Sequence, residues 1–156
     1  MSDEPTRRGR IAGIDFGTRR IGIALTDPGG TIASPHENYT RRTPEADAER
    51  MRQLVQQEEI VRFVVGLPLH MSGDESEKSR QARRFGKWLA ETTGVSVDFF
   101  DERFTTREAE DVLKQARMSR RNRDKRLDMT AAQIMLAAYL QSGPGAQQEP
   151  GPIEDP

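Results

Sequence analysis

Two β-rich runs, Ile11-Ala12-Gly13-Ile14-Asp15 and Ile21-Gly22-Ile23-Ala24-Leu25-Thr26, stand either side of Gly17-Thr18-Arg19. Apolar residues and glycine on both sides of so short a link read as a tight antiparallel hairpin. Asp15 interrupts the first run at its end. A carboxylate there closes a buried strand, and burying a charge costs several kcal/mol unless a partner offsets it. A hard divalent cation such as Mg²⁺, which prefers carboxylate oxygens, is one such partner. The other reading is a turn cap made through the Asp15 side chain. This segment alone leaves both open.

The rest of the chain narrows the chemistry. At 156 residues one domain is expected. There is no cysteine, which excludes disulfides, thiol nucleophiles and cysteine-based zinc sites and fits a reducing cytoplasm. His36 and His70 are the only histidines, so Asp and Glu must carry any acid–base or ligand work. No run reaches the roughly 20 apolar residues of a membrane helix, and Met1-Ser2-Asp3-Glu4-Pro5 has no signal-peptide core, so no membrane partner is expected. The net charge of −1 hides an uneven layout. Arg117, Arg120, Arg121, Arg123, Lys125 and Arg126 crowd into one short run, and no basic residue follows. Only Lys78, Lys87, Lys114 and Lys125 are lysine, and the arginine bias suits phosphate, though a GC-rich genome produces the same bias.

Residues 1–8 and the Gly/Pro-rich stretch 142–156 read as disordered ends around a folded domain at 9–141. That domain opens with strands near 10–16 and 20–26. The turn signal Asp27-Pro28-Gly29-Gly30 leads into a short third strand, Thr31-Ile32-Ala33-Ser34. Thr43-Pro44 starts a helix as N-cap and first-turn proline, with Met51, Leu54 and Val55 as its apolar stripe. Ile60–Leu67 reads as a buried parallel-type strand ended by Pro68. A helix then runs from about Ser76 to Thr93, with Ala82, Phe85 and Leu89 inward and Gly94 as its stop. Val95–Phe100 is the next strand, delivering Asp101-Glu102-Arg103 to its end. Thr105 and Glu108 have capping-box spacing for another helix. A last helix is expected from about Asp128 to Gln141, with Asp128, Ala132, Met135 and Tyr139 on one face. The pattern is α/β: a five-stranded mixed sheet, an antiparallel meander then parallel strands, flanked by helices.

Sites in such sheets form beyond the carboxyl ends of parallel strands. Asp15 and Glu102 lie at ends of that kind, and Asp128 can come over the same rim. Carboxylates that converge raise one another's pKa, and cations cancel the penalty. Two Mg²⁺ ions so held activate water and stabilise the leaving oxygen of a phosphodiester. Each member also has a plain reading. Glu102 can pair with Arg103, Asp128 can be an N-cap, and the basic run can be a solvated loop. Strand alternation sends Asp101 and Glu102 to opposite faces, and Glu102 is preferred for the site.

These residues resemble the YqgF (RuvX) family of bacterial RNase H-like nucleases. The matching motifs are Gly13-Ile14-Asp15-Phe16-Gly17-Thr18-Arg19-Arg20-Ile21-Gly22, Val64-Val65-Gly66-Leu67-Pro68, Asp101-Glu102-Arg103-Phe104-Thr105-Thr106 and Leu127-Asp128-Met129-Thr130-Ala131-Ala132. They occur in the family's order. His70 and Phe104 depart from its usual residues. The resemblance implies an RNase H-like fold and a nuclease site using Mg²⁺ or Mn²⁺ on Asp15, Glu102 and Asp128. It implies a nucleic-acid partner, either precursor 16S ribosomal RNA trimmed at its 5′ end or a branched DNA junction. Arg19, Arg20, Arg103, Arg120, Arg121, Arg123, Lys125 and Arg126 are the expected backbone contacts. The protein is expected as a monomer or a homodimer, the latter suiting a junction resolvase. Two competing readings are a nucleotide-binding lobe, since Asp15-Phe16-Gly17-Thr18 also resembles the phosphate loop of actin-like and sugar-kinase ATPases, and a non-catalytic RNA-binding assembly factor.

Overall fold

Strands β1 (Arg10–Asp15) and β2 (Arg20–Thr26) pair antiparallel across the Gly17-Thr18-Arg19 link, with Asp15 opposite Gly22. The structure, a computed structural model, describes the backbone of residues 9–105 and 123–142 and the side chains of 9–105 and 131–142. β3 (Ala33–Thr40) adds to β2 antiparallel. β4 (Ile60–Leu67) lies parallel to β1, and β5 (Val97–Asp101) parallel to β4. The sheet order is therefore β3-β2-β1-β4-β5. This is the expected five-stranded mixed sheet.

The meander turn is built by Asp27. Its carboxylate accepts from the N–H groups of Thr31 and Ile32 at 2.8 and 2.7 Å, so the turn carries its own hydrogen-bond acceptor. The third strand differs from the expected Thr31–Ser34. It starts at Ala33 and runs to Thr40, through Pro35. β3 is an edge strand, where proline's missing N–H costs no ladder bond, and the register shifts between Ile23 and Ala24, where Pro35 faces Ala24.

Helix α1 (Pro44–Glu58) begins as its sequence requires, the Thr43 side chain accepting from the Ala46 N–H at 3.0 Å. Helix α2 (Glu77–Thr93) opens with a reciprocal Ser76/Ser79 capping box and stops at Gly94 in the left-handed region, φ 75°. Met51 and Leu54 of α1, and Ala82, Phe85 and Leu89 of α2, pack on Ile14, Ile21, Ile23, Phe63, Val65 and Leu67. That is one face of the sheet. The last helix, α3 (Arg123–Ser142), covers the other, where Ala132, Met135, Leu136 and Tyr139 meet Ala24, Val64 and Phe100. Burying each large apolar side chain stabilises the fold by roughly 1.5–3 kcal/mol.

The approach of α3 depends on Gly13. A Cβ there would lie 2.9 Å from Leu136 Cβ and 3.4 Å from the Ala132 carbonyl oxygen, so any side chain would push the helix off the sheet. α3 starts five residues before the expected Asp128, at Arg123. Arginine and lysine are good helix formers, so the helix extends N-terminally without any apolar pattern to announce it. Asp128 thus lies in the second turn of α3, and the N-cap reading fails. The helix ends at Ser142, one residue past the expected boundary. The helix expected after Thr105, Arg117, Arg120, Arg121 and both expected disordered ends (apart from Ser142) lie outside the described residues, as do the side chains of Arg123, Lys125, Arg126 and Asp128.

Candidate active site

Side-chain alternation decides which face each strand end serves. On β1, Ala12 and Ile14 enter the α1–α2 core while Gly13 meets α3, so Asp15 points to the α3 side of the sheet. On β4, Val65 and Leu67 belong to the α1–α2 core and Val64 to the α3 core, which places Gly66 on the α3 face. β5 carries Phe100 into the α3 core and ends at Asp101. A one-turn 3₁₀ helix, Glu102–Phe104, follows.

Glu102 folds back over Gly66. A Cβ on residue 66 would sit 2.3 Å from Glu102 Oε2, so the absence of a side chain makes the seat for this carboxylate. Burial, then the negative charges of Asp15 and Asp101, push the Glu102 carboxyl up to about 7, with Lys78 pulling slightly the other way. Two acidic groups from separate strand ends therefore share one electrostatic neighbourhood at the carboxyl edge of the parallel strands. Asp101 does something else. It is 2 % exposed and its carboxylate accepts from the backbone N–H of Arg103 at 2.9 Å and from the Arg103 guanidinium at 3.0 Å. Arg103 also donates to the Met71 carbonyl at 3.1 Å, tying down the loop after β4. Arg103, expected on nucleic acid, is thus engaged by a buried carboxylate while its own guanidinium stays partly exposed, and it pairs with Asp101, not Glu102.

A cavity of about 200 Å³ opens beside Asp15, lined also by Phe16, Gly17, Arg20, Asn38 and Ala131. Arg20 faces it from β2, and Arg19 turns to the opposite side of the hairpin. α3 passes over this rim in reverse: Leu136 and Ala132 lie over Gly13, and Ala131 lines the cavity with Asp15. Residue 128 precedes Ala132 by four positions in α3, and its side chain lies outside the described residues.

Sequence patterning does not show Gly66 as the seat of Glu102, nor Asn38 at the cavity, because both depend on pairing between distant strands. A glycine late in a strand of bulky residues is the one signal that marks a close approach. The donor chemistry fits a hard divalent ion. Asp15 and Glu102 offer carboxylate oxygens only, and their mutual repulsion falls when a cation lies between them. Among the described residues no group of three His, Cys, Asp or Glu side chains is assembled to hold a metal.

A mixed sheet of this order, with carboxylates at the carboxyl edge of its parallel strands, defines the RNase H-like class. Structural comparison agrees. Thermus thermophilus RuvC in complex with a Holliday junction substrate superposes with a TM-score of 0.61 at 12% identity, covering 90% of this chain and 98% of that one. A second T. thermophilus RuvC structure gives 0.59 at 13% identity, over 89% and 98% of the two chains. At these identities the likeness is one of fold. Sequence comparison goes further. The family described as "RuvX: Holliday junction resolvase" matches residues 9–142. A Rhodopirellula baltica protein named "Putative pre-16S rRNA nuclease" is 45% identical over 134 residues, 86% of this chain and 78% of its own length. A Koribacter versatilis protein of the same name is 38% identical over 150 residues, 96% and 98% of the two chains. The chain belongs to the RuvX family, whose activity is that of nucleases, hydrolases acting on ester bonds.

Proposed function

We propose that this protein is a divalent-metal-dependent nuclease that trims the 5′ end of precursor 16S ribosomal RNA. The observation that carries the reading is that Asp15 and Glu102 share the α3 face of one rim, where the Asp15 charge helps to raise the Glu102 carboxyl. The names of relatives 45% and 38% identical supply the substrate.

Asp15, Glu102 and Asp128 are the residues that would hold Mg²⁺ or Mn²⁺. When bound, these ions supply Lewis-acid stabilisation of the phosphorane-like charge and an activated water. The protein's part is to fix the geometry and the charge. Asp15 is held at the end of a strand paired on both sides. Glu102 is seated on the bare backbone of Gly66. Its carboxyl, near 7 without a cation, keeps a proton in mildly acidic solution and becomes a better ligand as pH rises. Arg20, which lines the cavity beside Asp15, would hold a non-bridging phosphate oxygen. Attack of water on phosphorus then leaves a 5′-phosphate and a 3′-hydroxyl. Arg19, Arg120, Arg121, Arg123, Lys125 and Arg126 are proposed backbone contacts, with affinity that falls steeply with salt. The site of action is the cytoplasm, where ribosome precursors are processed; no helix among the described residues is long and apolar enough to cross a membrane.

The test is a cleavage assay with Mn²⁺ on two substrates, a precursor 16S 5′ segment and a four-way DNA junction, comparing wild type with Asp15→Asn. The RNA should be cut, and the variant should be roughly 100-fold slower or worse while remaining folded. A fully active Asp15→Asn protein refutes the site. Preference for the junction, accompanied by a two-fold dimer in solution, transfers the proposal to a resolvase, as the family's description words it. Metal-independent RNA binding with neither substrate cut makes the protein a non-catalytic assembly factor.

A further inference from the structure

On the other side of the β1–β2 hairpin lies a second cavity, of about 440 Å³, lined by Thr18, Arg19, Thr40, Arg41, Arg42 and Asp47. It faces the α1–α2 side of the sheet. Asp47 organises it. This carboxylate is 2 % exposed and accepts from the Tyr39 hydroxyl at 2.6 Å, the Arg42 backbone N–H at 2.8 Å and Arg41 Nε at 3.3 Å. These bonds hold its pKa below the usual carboxylate range despite burial, so it stays ionised with its acceptors already engaged. Arg41 is fixed a second time, its guanidinium 5.1 Å from the centre of the Phe16 ring. The Arg41 backbone N–H donates to the Arg19 carbonyl at 2.9 Å, which locks the β3–α1 connection to the hairpin tip.

The result is a walled cleft with three guanidiniums and one internally satisfied carboxylate. Arg19 and Arg42 are exposed, and neither makes an ion pair with another described residue. Glu45, in the first turn of α1, does not line the cleft. Planar, multi-donor guanidiniums on a rigid frame match the oxygens of a phosphate. The position of the cleft selects which phosphate. Gly17 and Arg20 line the carboxylate cavity, while Thr18 and Arg19 line this one. A single four-residue rim therefore separates the two. A strand with one phosphate at Asp15 can lay a neighbouring phosphate over that rim.

We propose that the Arg19–Arg41–Arg42 cleft is a phosphate-backbone anchor that holds the nucleic-acid strand a short distance from the phosphodiester at Asp15 and Glu102. The inference rests on the nuclease reading for its ligand, and its test does not use cleavage. Binding of a fluorescein-labelled precursor 16S 5′ segment is measured by anisotropy, without divalent ions, across a range of salt concentrations. Three proteins are compared: wild type, Arg19→Ala/Arg42→Ala, and the charge-matched pair Arg10→Ala/Arg52→Ala, at the start of β1 and on α1, neither of which lines the cleft. Each lost phosphate contact reduces the salt slope by roughly 0.7–0.9, so the cleft variant should lose between one and two units of slope and bind roughly tenfold or more weakly. The control pair should shift both far less. Inorganic phosphate and a mononucleotide are titrated separately. Saturable binding of either that the RNA does not strengthen assigns the cleft to a free phosphate ligand and overturns the anchor. Equal slopes in all three proteins overturn it too, even if the wild type cleaves. A cleft-dependent slope in a protein that never cleaves upholds the anchor and rejects the nuclease reading.

Discussion

Replacing Glu102 by Gln keeps the shape of the side chain and removes a charge that the fold bears at a cost. Burial and the neighbouring carboxylates raise its carboxyl from 4.5 to about 7. Each pKa unit corresponds to about 1.36 kcal/mol, so ionised Glu102 destabilises the metal-free protein by at most about 3 kcal/mol. The sign follows from linkage. The unfolded chain ionises this group near 4.5 and the folded chain only near 7, so the penalty is absent below the first value, grows between the two and is constant above the second. The neutral amide of Glu102→Gln bears no such penalty. In EDTA the variant should match wild type at pH 4.5 and exceed it at pH 8, with a melting temperature higher by up to about 6–12 °C. Scanning calorimetry at both pH values measures this. Added Mn²⁺ should then stabilise wild type, by about 2.7 kcal/mol at one hundred times its dissociation constant, and the variant much less. Cleavage should be lost throughout. A Glu102→Gln protein no more stable than wild type at pH 8, or equally stabilised at both pH values, would show that Glu102 is not held against its charge and would remove the argument that a cation belongs there.

Other substitutions test separate parts of the site. Gly66→Ala places a methyl group 2.3 Å from Glu102 Oε2, so it should unseat that carboxylate, cutting cleavage more than it lowers thermal stability; circular dichroism alongside the nuclease assay separates the two. Arg103→Ala leaves the buried Asp101 carboxylate without its guanidinium and should lower the midpoint of urea denaturation, which the loss of a surface nucleic-acid contact alone would not do. Leu136→Ala removes a fully buried contact of α3 with the sheet at Gly13 and should cost about 2–5 kcal/mol by the same method.

Where local chemistry decides structure, the residues announce it. The hairpin around Gly17, the Thr43-Pro44 start of α1, and the Ser76 and Gly94 ends of α2 follow from caps and turn residues within four positions of one another. Alternation past Phe100 also separates Asp101 from Glu102, because the strand stays regular to Asp101. Legibility fails where distant pairing takes over. Pro35 looks like a strand breaker and is tolerated because β3 has no outer neighbour. The first turn of α3 carries charges in place of an apolar stripe, so periodicity places its start too late. The Arg41–Asp47–Tyr39 cluster joins a strand to a helix through side chains, and none of those residues carries a motif. The seat on Gly66 is a feature of space left empty, which a sequence encodes only as a missing side chain.

The nuclease proposal requires a cation held between Asp15 and Glu102. Crystals grown with MnCl₂ and measured at the manganese absorption edge test it directly. An anomalous peak is expected in contact with carboxylate oxygens of both residues, and it should be lost in Asp15→Asn crystals. Carboxylates that stay apart with no peak between them, in crystals of active protein soaked at millimolar Mn²⁺, would contradict it.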